Sequence, residues 1–168
     1  MVVDIAIPCR GWLGETWGFW IQTGALFASV IGALWIVWSR ERSERRRATV
    51  DLLIEQLKDE ALVSAKLFVR AESSNLIRFL SNKDADEYRQ IIRVLNNYEF
   101  IASAIRERAL DDELYKRNQW TIVVRYWQSL EPFVTELRRQ DQHPTLFQEF
   151  EALALGWKKR PLQVDKDR

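Results

Sequence analysis

The chain has 168 residues, of which 47% are hydrophobic, and 25 basic residues nearly balance 24 acidic ones, for a net charge of +1. Its one cysteine, Cys9, excludes an intrachain disulfide and a thiolate metal cluster, and one histidine is too little for a metal centre or an imidazole-activated nucleophile. The charge is unevenly spread: residues 40–47 carry five arginines against two glutamates, a local +3, and the rest of the chain to residue 168 comes to about −1. A domain so balanced excludes an extended nucleic-acid groove, which needs a surplus of cations along one face.

Residues 1–15 form a short leading segment containing Asp4, Cys9, Arg10 and Glu15. From Thr16 to Ser39, 24 residues pass without an ionisable side chain, and a helix of that length covers the roughly 30 Å hydrocarbon core of a bilayer. A secretory signal fits poorly, because no basic region precedes the run and no small-residue cleavage site ends it. A buried helix of a soluble protein is the other alternative. Trp12, Trp17, Phe19 and Trp20 on one side and Trp35 and Trp38 on the other resemble interfacial belts. Arg40, Arg42, Arg45, Arg46 and Arg47 follow directly, and the positive-inside rule places what comes after them in the cytoplasm and residues 1–15 outside.

Gly24, Ala28 and Gly32 recur every four residues within the run. Small residues at that spacing let two spans approach closely, so the face is a candidate for association. The helix is expected to continue past the basic block 40–47 as far as Phe68. Val50, Ile54, Leu57, Ala61, Ala65 and Phe68 make a narrow apolar stripe, which suits either a stalk shared between protomers or packing on the chain's own later helices.

"RAESSN" at 70–75 reads as a break, with Ser74 positioned to cap a short helix through Leu80. Asp84 and Glu87 have capping-box spacing before a long helix whose face is Tyr88, Ile91, Ile92, Leu95, Tyr98, Ala102, Ile105 and Ala109. Asp111 restarts the chain, with Leu114, Ile122, Tyr126 and Leu130 expected inward, and a break is expected near Pro132. "DQHP" is a turn, Thr145 and Gln148 again have capping-box spacing, and Leu146, Phe147, Phe150, Leu153, Ala154 and Trp157 line a closing helix. No segment alternates with period two. The expected fold is therefore all-α: one transmembrane helix (16–39) and a basic juxtamembrane segment (40–47), then a cytoplasmic helical domain (48–158) and a flexible tail (159–168).

The stretches "RVLNNYEFIASAIRERALDDELYKR" and "FQEFEALALGW" resemble a family of bacterial membrane-anchored helical proteins classed as a domain of unknown function, over roughly residues 40–158. The resemblance implies the helical fold and the anchor, and no catalytic residue.

The sequence carries few residues arranged for chemistry. There is no phosphate-binding glycine loop, dinucleotide fingerprint or HExxH zinc motif. His143 sits in a turn before Pro144, and Asp111, Asp112 and Glu113 suit a helix N-terminus electrostatically. Asn96, Asn97 and Glu99, with Trp120 and Arg125, are the candidate ligand residues: an amide, a carboxylate and a guanidinium with an indole face could converge on a small anionic or purine ligand. The structural alternative is a Glu99–Arg125 ion pair between helices with the tryptophans in the core. These readings lead to a non-enzymatic inner-membrane protein without cofactor or metal, homo-oligomeric and partner-binding. The alternative is a cyclic-nucleotide-gated membrane effector of antiviral defence.

Overall fold

The computed structural model describes residues 17–162. Residues 1–15, with Cys9, Trp12 and the expected outer segment, lie outside the described residues, as do Thr16 and the tail beyond Leu162. The elements are α1 (Trp17–Lys58), α2 (Glu60–Ala71), a 3₁₀ helix (Leu76–Ser81), α3 (Asp86–Arg106), α4 (Asp112–Asp141) and α5 (Gln148–Lys159). Among the described residues there is no strand, so the chain is all-α as its periodicity indicates. Two compact units divide it, the first ending at Ser43 and the second beginning at Glu44.

The first unit is the apolar arm of α1. Among the described residues one helix, α1, is long and apolar enough to cross a membrane, its candidate span beginning at Phe19, and none of its most apolar stretch is buried. Its twelve large side chains from Phe19 to Trp38 are each between 42% and 70% exposed, on every side of the helix. A methyl group added at Gly24 or Gly32 would meet nothing within 4 Å, so the small-residue face is uncovered.

The second unit has its own core. Tyr98, Tyr115, Phe133, Phe150 and Trp157 are fully buried, with Ile91, Leu95, Ile101 and Leu130 between them. Tyr98 stacks on Phe150 at 4.9 Å, and Trp127 meets the same ring edge-on at 5.2 Å, which ties α3, α4 and α5 together. The face read for α3 is the one that packs: Ile91, Leu95, Tyr98 and Ala102 are buried, while Ala109 lies past the end of the helix and is exposed.

Several boundaries differ from the expectation. The helix expected to run to Phe68 breaks at Asp59, whose extended backbone turns its carboxylate onto the Leu62 amide at 2.9 Å and caps α2. The stripe splits there. Ala65 and Phe68 pack on the bundle, whereas Val50, Ile54 and Leu57 stay exposed (43%, 44% and 80%) because α1 turns Thr49, Leu52, Leu53 and Gln56 inward instead. Asn75, not Ser74, precedes the 3₁₀ helix, and α3 starts at Asp86 behind Ala85, with no side-chain cap at either place. Asp84 is held in a turn, its amide donating to Asn82 at 3.1 Å.

The break expected at Pro132 does not occur, and α4 runs for 30 residues through it. Pro132 and Gln128 are both exposed, so the Gln128 carbonyl that the proline leaves without a helical donor can bond water instead. Ile122, expected inward on α4, is 42% exposed, and Val123, Val124 and Trp127 take the buried positions. α5 includes Lys159, one residue past the expected end of the helical domain.

Candidate functional site

The five candidate ligand residues do not converge. Each does something else, and Glu99 shows it best. α5 begins at Gln148 behind Phe147, whose left-handed backbone (φ 57°) leaves the helix without a local side-chain cap, so the Thr145–Gln148 capping box does not form. Glu99 reaches across from α3 and supplies the cap, accepting from the Phe150 amide at 2.8 Å and from the Glu149 amide at 3.3 Å. A carboxylate there satisfies two amides the helix cannot bond itself and meets the positive end of its dipole. The expected Glu99–Arg125 ion pair is absent for that reason.

Asn97 accepts from the Gln56 side chain at 3.3 Å, and Gln56 in turn accepts from Lys66 at 3.3 Å. This polar chain joins α1, α2 and α3 beneath the surface, and burial lowers the Lys66 pKa more than Asp59 raises it. Asn96 is exposed on the other side of α3, in a shallow cleft with Lys83, Tyr88, Arg89 and Arg93. Trp120 donates to the Trp157 carbonyl at 3.0 Å, and Trp157 donates to Asp112 at 3.0 Å, so the indoles clasp the start of α4 to the end of α5.

The acidic restart is a structural junction. Asp111 caps α4 through the Leu114 amide at 2.8 Å, accepts from Arg46 at 3.2 Å, and gives its own amide to the Thr49 hydroxyl at 2.9 Å. One of the five arginines read as orienting the chain thus also fastens the bundle. Arg42 lies over the Trp38 ring at 6.0 Å. His143 is exposed in its turn. Among the described residues no group of three or more histidines, cysteines and carboxylates is placed to hold a metal ion.

Asn96 lines the cleft beside Lys83, and Arg125 lines a larger recess. A groove of about 450 Å³ runs between α2 and α4, bounded by Arg70 and Ser73 on one side and by Thr121, Ile122, Arg125 and Ser129 on the other. No carboxylate lines it. Tyr126 borders the groove with its hydroxyl donated to the Lys66 carbonyl at 2.9 Å and its ring 5.5 Å from that of Tyr98. Burial raises the Tyr126 pKa while the nearby Arg70 guanidinium pulls it down. A second groove of about 340 Å³ shares Ile122 and Tyr126 and continues towards Ile54, Leu57 and Leu67.

The sequence reading did not single out Arg70 or Ser73, which line this groove. Neither Arg70 nor Arg125 has a carboxylate three or four positions away on its own helix, the spacing at which surface ion pairs form.

The elements define an all-helical domain preceded in the chain by a long apolar helical segment. Residues 23–157 match the family described as a domain of unknown function, DUF4760, and the chain belongs to that family. No curated protein and no solved structure matches it.

Proposed function

We propose that this is a non-enzymatic, single-span protein of the bacterial inner membrane, with its N-terminus outside and a cytoplasmic helical domain that self-associates and binds partners. The observation that carries the reading is the bare apolar arm of α1. Twelve large hydrophobic side chains lie open around it, and at roughly 1.5–3 kcal/mol for burying each, leaving them in water costs on the order of 20 kcal/mol. A bilayer removes that cost, and the arginines from Arg40 to Arg47 supply the orientation.

Self-association is supported by Val50, Ile54 and Leu57, one stripe of α1 that the chain's own bundle leaves uncovered, and by the open Gly24, Ala28 and Gly32 face. Two copies anchored in one membrane leave it in the same direction, so their α1 stripes can meet in parallel.

The test is the mass of the full chain in neutral detergent by light scattering, alone and as Leu57→Lys. Leu57 is 80% exposed, so the substitution leaves the fold intact. An oligomer that becomes a monomer on substitution supports the reading, and a wild-type monomer at all concentrations overturns its self-association half.

A further inference from the structure

We infer that the groove between α2 and α4 binds the phosphate group of a small ligand between the Arg70 and Arg125 guanidiniums, with the ligand's uncharged body over Ile122 and Tyr126. The arginine site itself is independent of whether the chain crosses a membrane, and its lining excludes the Val50, Ile54 and Leu57 stripe.

The first support is charge. Several of the bundle's surface cations meet carboxylates, Arg46 with Asp111, Arg78 with Glu72, Lys83 with Asp141, Arg106 with Glu149 and Arg138 with Glu151, while others such as Arg93 and Lys158 do not among the described residues. Arg70 and Arg125 come from different helices into one groove, and among the described residues neither has a carboxylate within salt-bridge distance. Two arginines lining one recess concentrate positive charge there, which a bound anion would offset. A guanidinium presents paired N–H donors that match two oxygens of a tetrahedral anion. A single carboxylate would occupy one fork, whereas a phosphate has oxygens for both.

The second support is the remaining lining. Ser73, Thr121 and Ser129 bring hydroxyl donors to the same groove, and Gln128 brings an amide. These suit the further oxygens of a phosphate and its ester link. A recess of about 450 Å³ falls in the range of small-molecule sites. The floor beyond the arginines is apolar and firm: Ile122 is 42% exposed, and Tyr126 is pinned by its bond to Lys66. The shared chemistry is a phosphate ester, which a soluble nucleotide and a phospholipid headgroup both offer.

Calorimetric titration of the full chain in neutral detergent tests the inference, with inorganic phosphate, pyrophosphate, ATP and 3′,5′-cyclic AMP as soluble probes and succinate as the carboxylate control. A parallel titration uses nanodiscs of phosphatidylcholine with and without phosphatidic acid. The proteins compared are wild type, Arg70→Ala, Arg125→Ala, Arg125→Lys and, as a charge control far along the chain, Lys158→Ala. Saturable binding of a soluble phosphate probe identifies a free phosphate ester, and a response confined to phosphatidic acid identifies a headgroup. Either supports the site, provided that each alanine variant weakens binding at least about tenfold, the lysine variant less, and Lys158→Ala leaves it unchanged. Equal binding of succinate, binding indifferent to both arginines, or no saturable binding of any phosphate probe below about 10 mM overturns the inference.

Discussion

Removing the Glu99 carboxylate should loosen α5 without touching any apolar contact. Its two bonds to the α5 amides are 2.8 and 3.3 Å long, so one is well formed and the other marginal. A hydrogen bond to a charged group contributes roughly 1.5–3 kcal/mol, and a lost helix cap costs about 0.5–2 kcal/mol. Taking the well-formed bond as dominant, Glu99→Ala should cost about 2 kcal/mol. Glu99→Gln keeps an acceptor but loses the charge, and should cost about 1 kcal/mol. For a chain of this size that is a fall in Tm of roughly 4–8 °C for alanine and about half as much for glutamine. The assay is thermal unfolding of the full chain in neutral detergent followed by tryptophan fluorescence, because Trp157 on α5 and Trp127 against Phe150 report on that packing. An alanine variant within about 0.5 kcal/mol of wild type, the range of an ordinary surface substitution, would refute the cap.

Other predictions follow from the same geometry. Asp111→Asn keeps an acceptor for the Leu114 amide but loses the charge facing Arg46, and as an exposed ion pair that should cost under about 1 kcal/mol; Asp111→Ala loses the cap too and should cost about 1–2 kcal/mol more in urea unfolding. Pro132→Ala restores an amide inside α4 and should raise the urea midpoint by an amount worth about 1–3 kcal/mol. Burial drives the Tyr98 pKa well up, with Tyr115 and Tyr126 adding to the shift. An acid whose folded pKa is raised contributes full stability below its unfolded value, near pH 10, and loses it as the pH climbs beyond. Stability should therefore fall above about pH 10 by roughly 1.4 kcal/mol per pH unit for this group. Tyr98→Phe removes a hydroxyl that has no hydrogen-bond partner among the described residues, so it should be neutral or slightly stabilising at pH 7 and flatten the alkaline decline in a pH series of urea melts.

What the sequence could and could not reveal follows from the range of the forces involved. Local periodicity identified the α3 face, because Ile91, Leu95, Tyr98 and Ala102 repeat at helical spacing and pack as they repeat. The apolar arm was equally legible, being an uninterrupted composition signal. Helix ends were less so, since they depend on which of several nearby polar groups reaches an amide. Asp59 breaks α1 from α2 although no glycine or proline marks the spot. The cap of α5 was not legible at all, because Glu99 lies about 50 residues away in sequence and only the α3–α5 packing brings it close. Pro132 was misread for the opposite reason: a strong local rule gives way where the carbonyl it strands faces water. Residue type alone grouped Asn96, Asn97, Glu99, Trp120 and Arg125, while the helix packing gives each its own contacts. Arg125 lines the larger recess, and Arg70, which lines it too, sits on a helix that sequence spacing alone does not bring near it.

The central claim is that the bare arm of α1 crosses a membrane with the helical domain on the cytoplasmic side. The most direct measurement labels spheroplasts with a membrane-impermeant maleimide, using the native Cys9 in one strain and Cys9→Ser combined with Lys158→Cys in another. The account predicts that Cys9 is labelled in intact cells, whereas position 158 is labelled only after the membrane is permeabilised. Labelling of position 158 in intact cells, or recovery of the full chain in the soluble fraction, would contradict it.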